Sequence, residues 1–335
     1  MSQGILLVNL GTPNSPEIKD IRNYFIEFLM DPYVINLPWV FRTLIVYGFI
    51  LPFRPSRTSR AYKKIWNSAG LETGSPLLHH GKNCAIKLSE LLNIPVEIGM
   101  RYGNPSLERA IDNLTKSGAS SITLVPLYPQ YAESTWRTTI EKVRHLAESK
   151  ISLEIINPFF DNQYYLDSQA QIYSRFLPQH FDYLLFSYHG LPNSQIKKAD
   201  PTKNHCLQSI DCCEKVSEAH QTCYRYQSLY TSREIAKRLG LDEKSYGTSF
   251  QSRVGATPWL VPQTDKVLAE LPSRGIHHLA IACPAFVADN LETIEEIGIV
   301  GKEIFFEAGG ESFTLLPCLN SEPEWINTLQ QIITK

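Results

Sequence analysis

The sequence predicts an α/β fold in which helices cover both faces of parallel sheets. Short and almost continuously apolar runs alternate along the 335 residues with longer segments of helical periodicity. Unbroken apolar runs are typical of strands that are buried on both faces of a parallel sheet. A regular alternation of such strands with helices requires crossover connections, which are right-handed in almost all proteins.

Seven apolar runs, each bounded by polar or turn-forming residues, are the predicted strands. In chain order they are residues 4–9, 96–100, 121–126, 153–156, 183–187, 246–250 and 278–283. Seven segments with apolar residues three or four positions apart are the predicted helices. In chain order they are residues 16–30, 77–92, 105–117, 134–148, 163–176, 228–239 and 289–306, and a last helix is predicted at 325–333.

Seven strands over this length favour two domains rather than one large sheet. We place a doubly wound, Rossmann-like lobe at residues 1–157 and a second such lobe at 158–320. We expect residues 321–335 to pack back on the first lobe as a helix. Ligands of doubly wound sheets bind outside the carboxyl ends of the strands. Function is therefore expected on the residues that follow each strand.

Composition and motifs narrow the classes of function. The net charge of −2 gives no basic field for nucleic acid. The first predicted strand is not followed by the G-x-G-x-x-G motif that binds a nucleotide cofactor, so no such cofactor is expected. The first residues lack the cationic and apolar regions of a secretory leader, and we therefore expect a cytoplasmic protein.

Residues 33–53, which we call the apolar lip, form the longest apolar stretch of the sequence. Pro38, Arg42 and Pro52 make this stretch a poor membrane-spanning helix. The pattern leaves two alternatives open. The lip is either a surface that touches the inner membrane peripherally or a helix that is buried in the first lobe.

A histidine follows the fifth predicted strand, in the sequence Ser-Tyr-His-Gly-Leu-Pro at residues 187–192. The Gly-Leu-Pro sequence turns the chain and leaves His189 at the carboxyl end of the strand. An imidazole titrates near physiological pH, so it can accept a proton or bind a metal. A histidine that only hydrogen-bonds the turn is the structural alternative, and position alone does not decide between the two.

Three acidic residues follow the last predicted strand. Asp289, Glu292 and Glu296 share one face of a predicted helix. A row of carboxylates could pass protons or a divalent cation along a channel. The spacing by itself favours a structural role, because Asp289 can cap the helix with Glu292 as its capping-box partner.

Three more strand ends carry aromatic or charged side chains. Tyr131 follows the third predicted strand in the sequence Tyr-Pro-Gln-Tyr, and Trp259 follows the sixth. Arg101 lies at the end of the second and could bind a carboxylate through two parallel hydrogen bonds. Core packing of the two rings and a surface ion pair of the arginine are the structural alternatives.

Four of the seven cysteines lie close together in residues 201–224, which we call the cysteine loop. They are Cys206, Cys212, Cys213 and Cys223, with the spacing C-x5-C-C-x9-C. Stable disulfides are rare in the cytoplasm, so this clustering indicates metal or redox chemistry. Four thiolates suit either an iron–sulfur cluster or zinc.

Together and in this order, these segments resemble the ferrochelatase family over residues 4–320. The most specific matches are His-Gly-Leu-Pro at residues 189–192 and Asp-Asn-Leu-Glu-Thr at 289–293. Further matches are residues 4–13, Gly-Ser-Pro-Leu at 74–77, Arg-Tyr-Gly at 101–103, Tyr-Pro-Gln-Tyr at 128–131, residues 251–255 and Pro-Trp-Leu at 258–260. The resemblance implies a chelatase-like fold with a porphyrin cleft between the lobes.

The resemblance further implies insertion of Fe²⁺ into protoporphyrin IX, the last step of haem biosynthesis, with release of two protons. It implies that His189 accepts these protons and that Glu292 moves protons or positions the substrate iron. Asp289 and Glu296 would extend an acidic path. The residues that match porphyrin-pocket positions are Leu10, Arg101, Tyr131 and Trp259.

Some ferrochelatases carry a 2Fe–2S cluster, so the resemblance favours such a cluster over zinc on the four cysteines of the cysteine loop. Three alternative functions stay open: a non-catalytic tetrapyrrole or haem carrier, a cobalt chelatase and a coproporphyrin ferrochelatase. The apolar lip favours the more hydrophobic protoporphyrin over coproporphyrin as substrate.

Overall fold

Eight strands in the described part of the chain form two four-stranded sheets, and all of their pairings are parallel. The computed structural model describes residues 2–70, 72–147, 151–253, 255 and 257–334. The first sheet contains β1 (Gln3–Thr12), β2 (Val96–Gly103), β3 (Ser121–Pro126) and β4 (Ser152–Ile155), in the spatial order β2-β1-β3-β4. The second contains β5 (Tyr183–His189), β6 (Tyr246–Gln251), β7 (His278–Ala282) and β8 (Ser312–Leu315), in the order β6-β5-β7-β8. The predicted α/β class with two parallel sheets is confirmed.

Helices connect these strands and cover the sheets. Those in the described residues are α1 (Ile18–Leu29), α2 (Trp39–Ile45), α3 (Arg54–Ile65), α4 (Pro76–Leu92), α5 (Leu107–Lys116), α6 (Thr138–Ala147), α7 (Gln163–Phe176), α8 (Asn193–Ala199), α9 (Tyr224–Arg238), α10 (Thr264–Glu270), α11 (Lys302–Glu307) and α12 (Pro323–Ile333). Shorter 3₁₀ turns lie at Glu218–Gln221 and Pro272–Arg274. Three segments are π-helical: Val46–Ile50, Glu133–Arg137 and Glu292–Gly301.

One hydrophobic core runs across both sheets. Leu7 of β1 and Phe186 of β5 are completely buried and belong to this same core. Trp325 of α12 is also completely buried, with its ring 5.9 Å from that of Phe159, and α12 packs against α4 and α7. Because the core is shared, the division into domains at residues 1–157, 158–320 and 321–335 remains a prediction.

The sequence pattern missed β8 and the helices α3, α8 and α10, and it misjudged the helix that follows β7. β8 has only four residues, all half-buried at the edge of its sheet, so it lacks the unbroken apolar run of a central strand. The segment predicted as one helix at 289–306 begins as the π-helix Glu292–Gly301 and continues as α11. The predicted end of another helix at Glu148 lies outside the described residues.

Most side chains of the apolar lip are exposed, so the alternative of a helix buried in the first lobe is wrong. It folds into α2 and the π-helix Val46–Ile50, and 65% of Trp39 and 74% of Phe53 are accessible to solvent. The lip packs on α1 through a small cluster that includes Leu29 and Val46. Of the helices that the structure describes, none has the length and apolar character needed to cross a bilayer.

Candidate functional site

His189 is the last residue of β5, and its neighbour β7 leads into the acidic helix. The two strands are adjacent and parallel, so their carboxyl ends meet at one edge of the second sheet. His189 is half-buried, and no hydrogen bond joins its ring to any described residue. Burial lowers the pKa of its imidazole from 6.5 to about 4. The ring is therefore neutral at physiological pH and able to accept a proton.

The turn after His189 brings the Trp259 segment against it. The Gly190 N–H donates to the Gln251 carbonyl at 2.8 Å, and a Cβ at Gly190 would lie only 2.7 Å from that oxygen, so glycine is needed there. Leu260 N donates to the Leu191 carbonyl at 3.0 Å. The indole N–H of Trp259 is buried without a hydrogen-bond partner among the described residues. This segment therefore presents an aromatic ring and an unpaired donor beside the histidine turn.

The acidic helix starts with a different cap from the predicted one. Asn290 and Thr293 bond each other reciprocally, since Thr293 N donates to Asn290 Oδ1 and Asn290 N donates to Thr293 Oγ1, both at 3.0 Å. Asp289 instead accepts hydrogen bonds from Asn320 Nδ2 at 2.7 Å and from Thr293 Oγ1 at 3.1 Å. Asp289 thus anchors the helix start to the segment after β8. Glu292 is left free of the capping role that its spacing suggested.

Glu292 and Glu296 form a coupled acidic pair. Burial, together with the charge of Glu296, raises the pKa of Glu292 from 4.5 to about 7. Burial also raises the pKa of Glu296, whose carboxylate accepts a hydrogen bond from Ser252 Oγ at 2.6 Å. Two carboxylates that repel each other in a half-buried site hold a proton near neutral pH.

A small cavity connects Leu10 with Glu292. Its volume is about 30 Å³, which is room for about two water molecules. Its walls include the hydroxyl groups of Thr12, Tyr24, Tyr62 and Ser75 beside apolar side chains such as Leu77 and Phe286. Thr12 Oγ1 donates to Ser75 Oγ at 2.8 Å. The carboxyl end of β1 therefore faces the acidic helix, as a cleft between the two sheets requires.

Tyr62 is a cavity residue that strand-end inspection of the sequence missed. It belongs to α3, far from any strand end, and shares the small cavity with Glu292. Burial raises the pKa of its phenol, and the charge of Glu292 raises it further. No signal in the local sequence separates this buried tyrosine from an ordinary core residue.

Arg101 lies in an internal network. Its guanidinium forms an ion pair with the buried Asp31, and its Nε donates to Thr138 Oγ1 at 3.0 Å. The guanidinium carbon of Arg101 lies 4.4 Å from the centre of the Tyr102 ring. The sequence indicated that Arg101 could bind a carboxylate, and in the structure this carboxylate is Asp31 of the protein itself. The alternative of a surface ion pair is wrong, because only 4% of the Asp31 side chain is exposed.

Tyr131 lies in the turn between β3 and the π-helix Glu133–Arg137. Its ring packs 5.6 Å from the ring of Trp136, and burial raises the pKa of its phenol. Its backbone N–H donates to Gln227 Oε1 of α9 at 2.7 Å. The turn that carries Tyr131 is thus attached to a helix from the other half of the chain.

The thiols of the cysteine loop interact with one another. The interaction of Cys223 with Cys206 and Cys213 lowers the pKa of the Cys223 thiol and raises the pKa values of the other two thiols. The sulfurs of Cys212 and Cys213 are 4.0 Å apart. Arg225 Nη1 lies 3.4 Å from the first of these sulfurs and 3.5 Å from the second. Cys206, Cys212 and Cys223 are buried, and Cys213 is half-buried.

The rest of the loop is fixed mainly by Asp200. Its carboxylate accepts from the backbone N–H groups of Thr202, His205 and Cys206 at 2.8 to 2.9 Å. These bonds keep the pKa of Asp200 well below its usual range. Across the described ranges, no set of three or more His, Cys, Asp or Glu side chains has an arrangement that could hold a metal ion.

Comparison with known proteins gives one consistent family. The family model described as Ferrochelatase matches residues 2–335. A ferrochelatase of Azotobacter vinelandii is 45% identical over 337 residues, which cover 98% of this chain and 97% of that protein. One of Pseudomonas fluorescens strain Pf0-1 is 44% identical over 330 residues, covering 97% and 95%.

Solved structures support the fold. SirB from Bacillus subtilis with Fe³⁺ matches with a TM-score of 0.55 at 13% identity, over 99% of this chain and 96% of that chain. At this identity the likeness concerns the fold alone, and it agrees with the two parallel sheets described above.

Proposed function

The chain belongs to the ferrochelatase family, and from that premise we propose that it inserts Fe²⁺ into protoporphyrin IX to give protohaem, releasing two protons, as the last step of haem biosynthesis. It is therefore an enzyme, a metal chelatase of the lyase class. One observation carries the proposal. At one sheet edge, a neutral imidazole without a hydrogen-bond partner among the described residues lies beside a carboxylate pair that holds a proton.

In this proposal His189 accepts protons from the pyrrole nitrogens. Metal insertion replaces two N–H protons by one divalent cation, so the site must take up two positive charges as protons while Fe²⁺ arrives. A base is useful only if it is unprotonated at the working pH. With a pKa of about 4, His189 meets this condition at any pH above about 5.

Glu292 and Glu296 would receive the protons or attract the iron. Both roles use the same property, a pair of acids whose mutual repulsion favours the approach of a positive charge. The hydroxyl-lined cavity beside Glu292 supports a hydrated path on that side. Asp289 is engaged with Asn320 and Thr293, so the proposed acidic path consists of Glu292 and Glu296.

We propose the porphyrin pocket on the residues that the family motifs match. Leu10 would contribute an apolar contact from the first sheet, and Trp259 a ring beside the histidine turn. Tyr131 would form the opposite wall. Arg101 would support this wall from within through Asp31, because its guanidinium is already paired.

We further propose that the four cysteines hold a 2Fe–2S cluster. The support for this proposal is the set of donors: Cys206, Cys212, Cys213 and Cys223 lie in one loop, and Arg225 would offset part of their negative charge. When bound, such a cluster supplies one-electron redox chemistry.

Metal analysis tests the cluster directly. Protein purified without oxygen should be brown and contain about two iron and two sulfide per chain. Cys213→Ser should lose both, whereas Cys84→Ser, a cysteine outside the loop, should keep them. If the wild-type protein is colourless and contains one zinc ion per chain, the cluster proposal is refuted and the four cysteines form a zinc site.

We propose that the apolar lip touches a membrane peripherally. Its exposed side chains form a patch on α2 and the following π-helix that includes Trp39, Phe49 and Phe53, and patches of this kind mark interaction surfaces. Replacing these three residues with Ser should abolish co-sedimentation with anionic lipid vesicles. Ile210→Ser with Val216→Ser is the matched control, because both residues are exposed but lie in the cysteine loop. Equal binding by both variants would refute the contact.

An insertion assay tests the main proposal. Under anaerobic conditions, Fe²⁺ is offered with protoporphyrin IX and with coproporphyrin in parallel, and metalloporphyrin is followed by absorbance. The expected result is faster insertion into protoporphyrin. Faster insertion into coproporphyrin would identify coproporphyrin as the substrate instead. Porphyrin binding without insertion of any metal would indicate a tetrapyrrole carrier.

A further inference from the structure

Gln227 links the cysteine loop to the wall that carries Tyr131. Its side chain is completely buried in α9 and uses its hydrogen-bonding groups on both sides. Nε2 donates to the carbonyls of His220 at 3.1 Å and Gln221 at 2.9 Å, while Oε1 accepts from Tyr131 N at 2.7 Å. Both amide hydrogens and the amide oxygen therefore have partners, as a buried amide requires.

The two carbonyls belong to the turn that leads directly into Cys223. Cys223 caps α9 by accepting a hydrogen bond from Tyr226 N, at 3.5 Å. Gln227 N in turn donates to the Cys223 carbonyl at 3.0 Å. Any rearrangement of the thiols around Cys223 thus moves both the backbone that starts α9 and the carbonyls that hold the Gln227 amide.

A second bond ties the same wall to the same helix. Gln130 Nε2 donates to Thr231 Oγ1 at 3.1 Å, one turn after Gln227 on α9. Gln130 and Thr231 are both buried. Because interiors are close-packed and deform little, α9 and the Tyr131 turn must shift together.

We propose that Gln227 is a positioning residue that transmits the arrangement of the four thiols in the cysteine loop to the porphyrin wall at Tyr131. The proposal rests on the proposed function, in which Tyr131 contacts porphyrin. Coupling of this kind is reciprocal. If one arrangement of the cysteine loop raises the affinity for porphyrin, then porphyrin binding must favour that arrangement of the loop. Gln227 itself contacts no substrate.

A double-mutant cycle on porphyrin affinity tests the link. The dissociation constant of protoporphyrin IX is measured without oxygen by fluorescence titration for wild type, Cys213→Ala, Gln227→Met and the double variant. Cys213 is chosen because it is half-buried, whereas the other three thiols of the loop are buried. Cys213→Ala should weaken binding about fivefold or more, the lower range of allosteric coupling. In the Gln227→Met background it should change binding by less than about twofold.

Gln169→Leu is the matched control. Gln169 is also completely buried, but it lies in α7 and donates to Tyr165 Oη at 3.3 Å, without a bond to the loop or to Tyr131. The effect of Cys213→Ala should persist in full in this background. Gln227→Glu serves as a second variant, because it keeps the acceptor for Tyr131 N and loses both donors to the loop. It should uncouple the sites as Gln227→Met does.

Two results would overturn the proposal. One is a Cys213→Ala effect that stays undiminished in both Gln227 variants, and the other is no effect of Cys213→Ala on porphyrin affinity in otherwise wild-type protein. Iron, sulfide and insertion rate are measured separately on the wild type, so failure of the cluster or of the chelatase reaction is seen there and not in the cycle.

Discussion

Replacing Glu292 with Gln should stabilise the folded protein, and the gain should grow as the pH rises from 5 to 8. Glu292 is partly buried and faces the charge of Glu296, and both conditions disfavour its ionised form. Glutamine has nearly the same shape and carries no charge. The substitution therefore removes a repulsive charge from a site that resists ionisation. The folded protein gains stability and loses the carboxylate to which we assign a role in the reaction.

The pKa shift of Glu292 gives the sign and size of this effect. The folded protein keeps the Glu292 proton up to a pH of about 7, whereas an ordinary glutamate loses it at about 4.5. The folded state thus binds more protons between these values, and stability from this group, present in full below pH 4.5, is lost as the pH rises through 7. At about 1.36 kcal/mol per pKa unit the upper limit is about 3.4 kcal/mol. Because solvent reaches part of the side chain, we expect about 1 to 2 kcal/mol.

Urea unfolding of wild type and Glu292→Gln at pH 5, 6, 7 and 8 measures the gain. Tryptophan fluorescence and circular dichroism should give coincident transitions, so that a single free energy of unfolding is defined. Glu303→Gln is the control, since Glu303 is exposed on α11 and should change stability by less than about 0.5 kcal/mol at every pH.

The reasoning is refuted if Glu292→Gln stabilises the protein equally at pH 5 and pH 8. It is also refuted if the variant is less stable than wild type at pH 8. Either result would mean that Glu292 is ionised near its ordinary pKa and that the acidic pair does not hold a proton at neutral pH.

The remaining predictions concern the imidazole and an ion pair between the two halves of the chain. His189→Ala should slow iron insertion by at least about 100-fold, the loss expected for a general base, while the porphyrin dissociation constant in a fluorescence titration changes less than about threefold. Because the pKa of His189 is about 4, the pH profile of kcat/KM should show no histidine limb near 6.5, and a limb there that His189→Ala removes would contradict the neutral imidazole. Lys198→Met should lower the free energy of unfolding in urea by about 1 kcal/mol, because Lys198 Nζ lies 2.9 Å from the buried Glu133. The exposed Lys197→Met should leave it within about 0.5 kcal/mol, and equal losses for the two lysines would argue against the pair.

The central strands were predictable because burial on both faces imposes an unbroken apolar run. β1 and β5 show this pattern, and both lie inside their sheets. β8 was not predictable by the same rule, since an edge strand with half-buried residues has no such run. The position of His189 followed from strand and turn signals alone. Those signals work because they depend on neighbouring residues only.

Contacts between distant segments were not predictable from local pattern. Arg101 finds its carboxylate in Asp31, and Asp289 finds its donor in Asn320. The acidic helix has a π-helical start that leaves no signature in the spacing of its residues. In each case the outcome depends on which remote segments the fold brings together.

The pKa values of His189 and Glu292 rank these two groups by how strongly each one holds a proton. A proton on His189, with a pKa of about 4, is held weakly, whereas Glu292, with a pKa of about 7, holds one more firmly by about 4 kcal/mol. We infer that His189 is a transient acceptor and that the Glu292–Glu296 pair is the group on which protons come to rest. Burial, together with the charge of Glu296, destabilises the fold when Glu292 ionises, and the same two causes make Glu292 basic enough to take a proton near neutral pH. A site optimised for stability would have lost one of these carboxylates, and with it the difference in proton affinity that draws protons away from the imidazole.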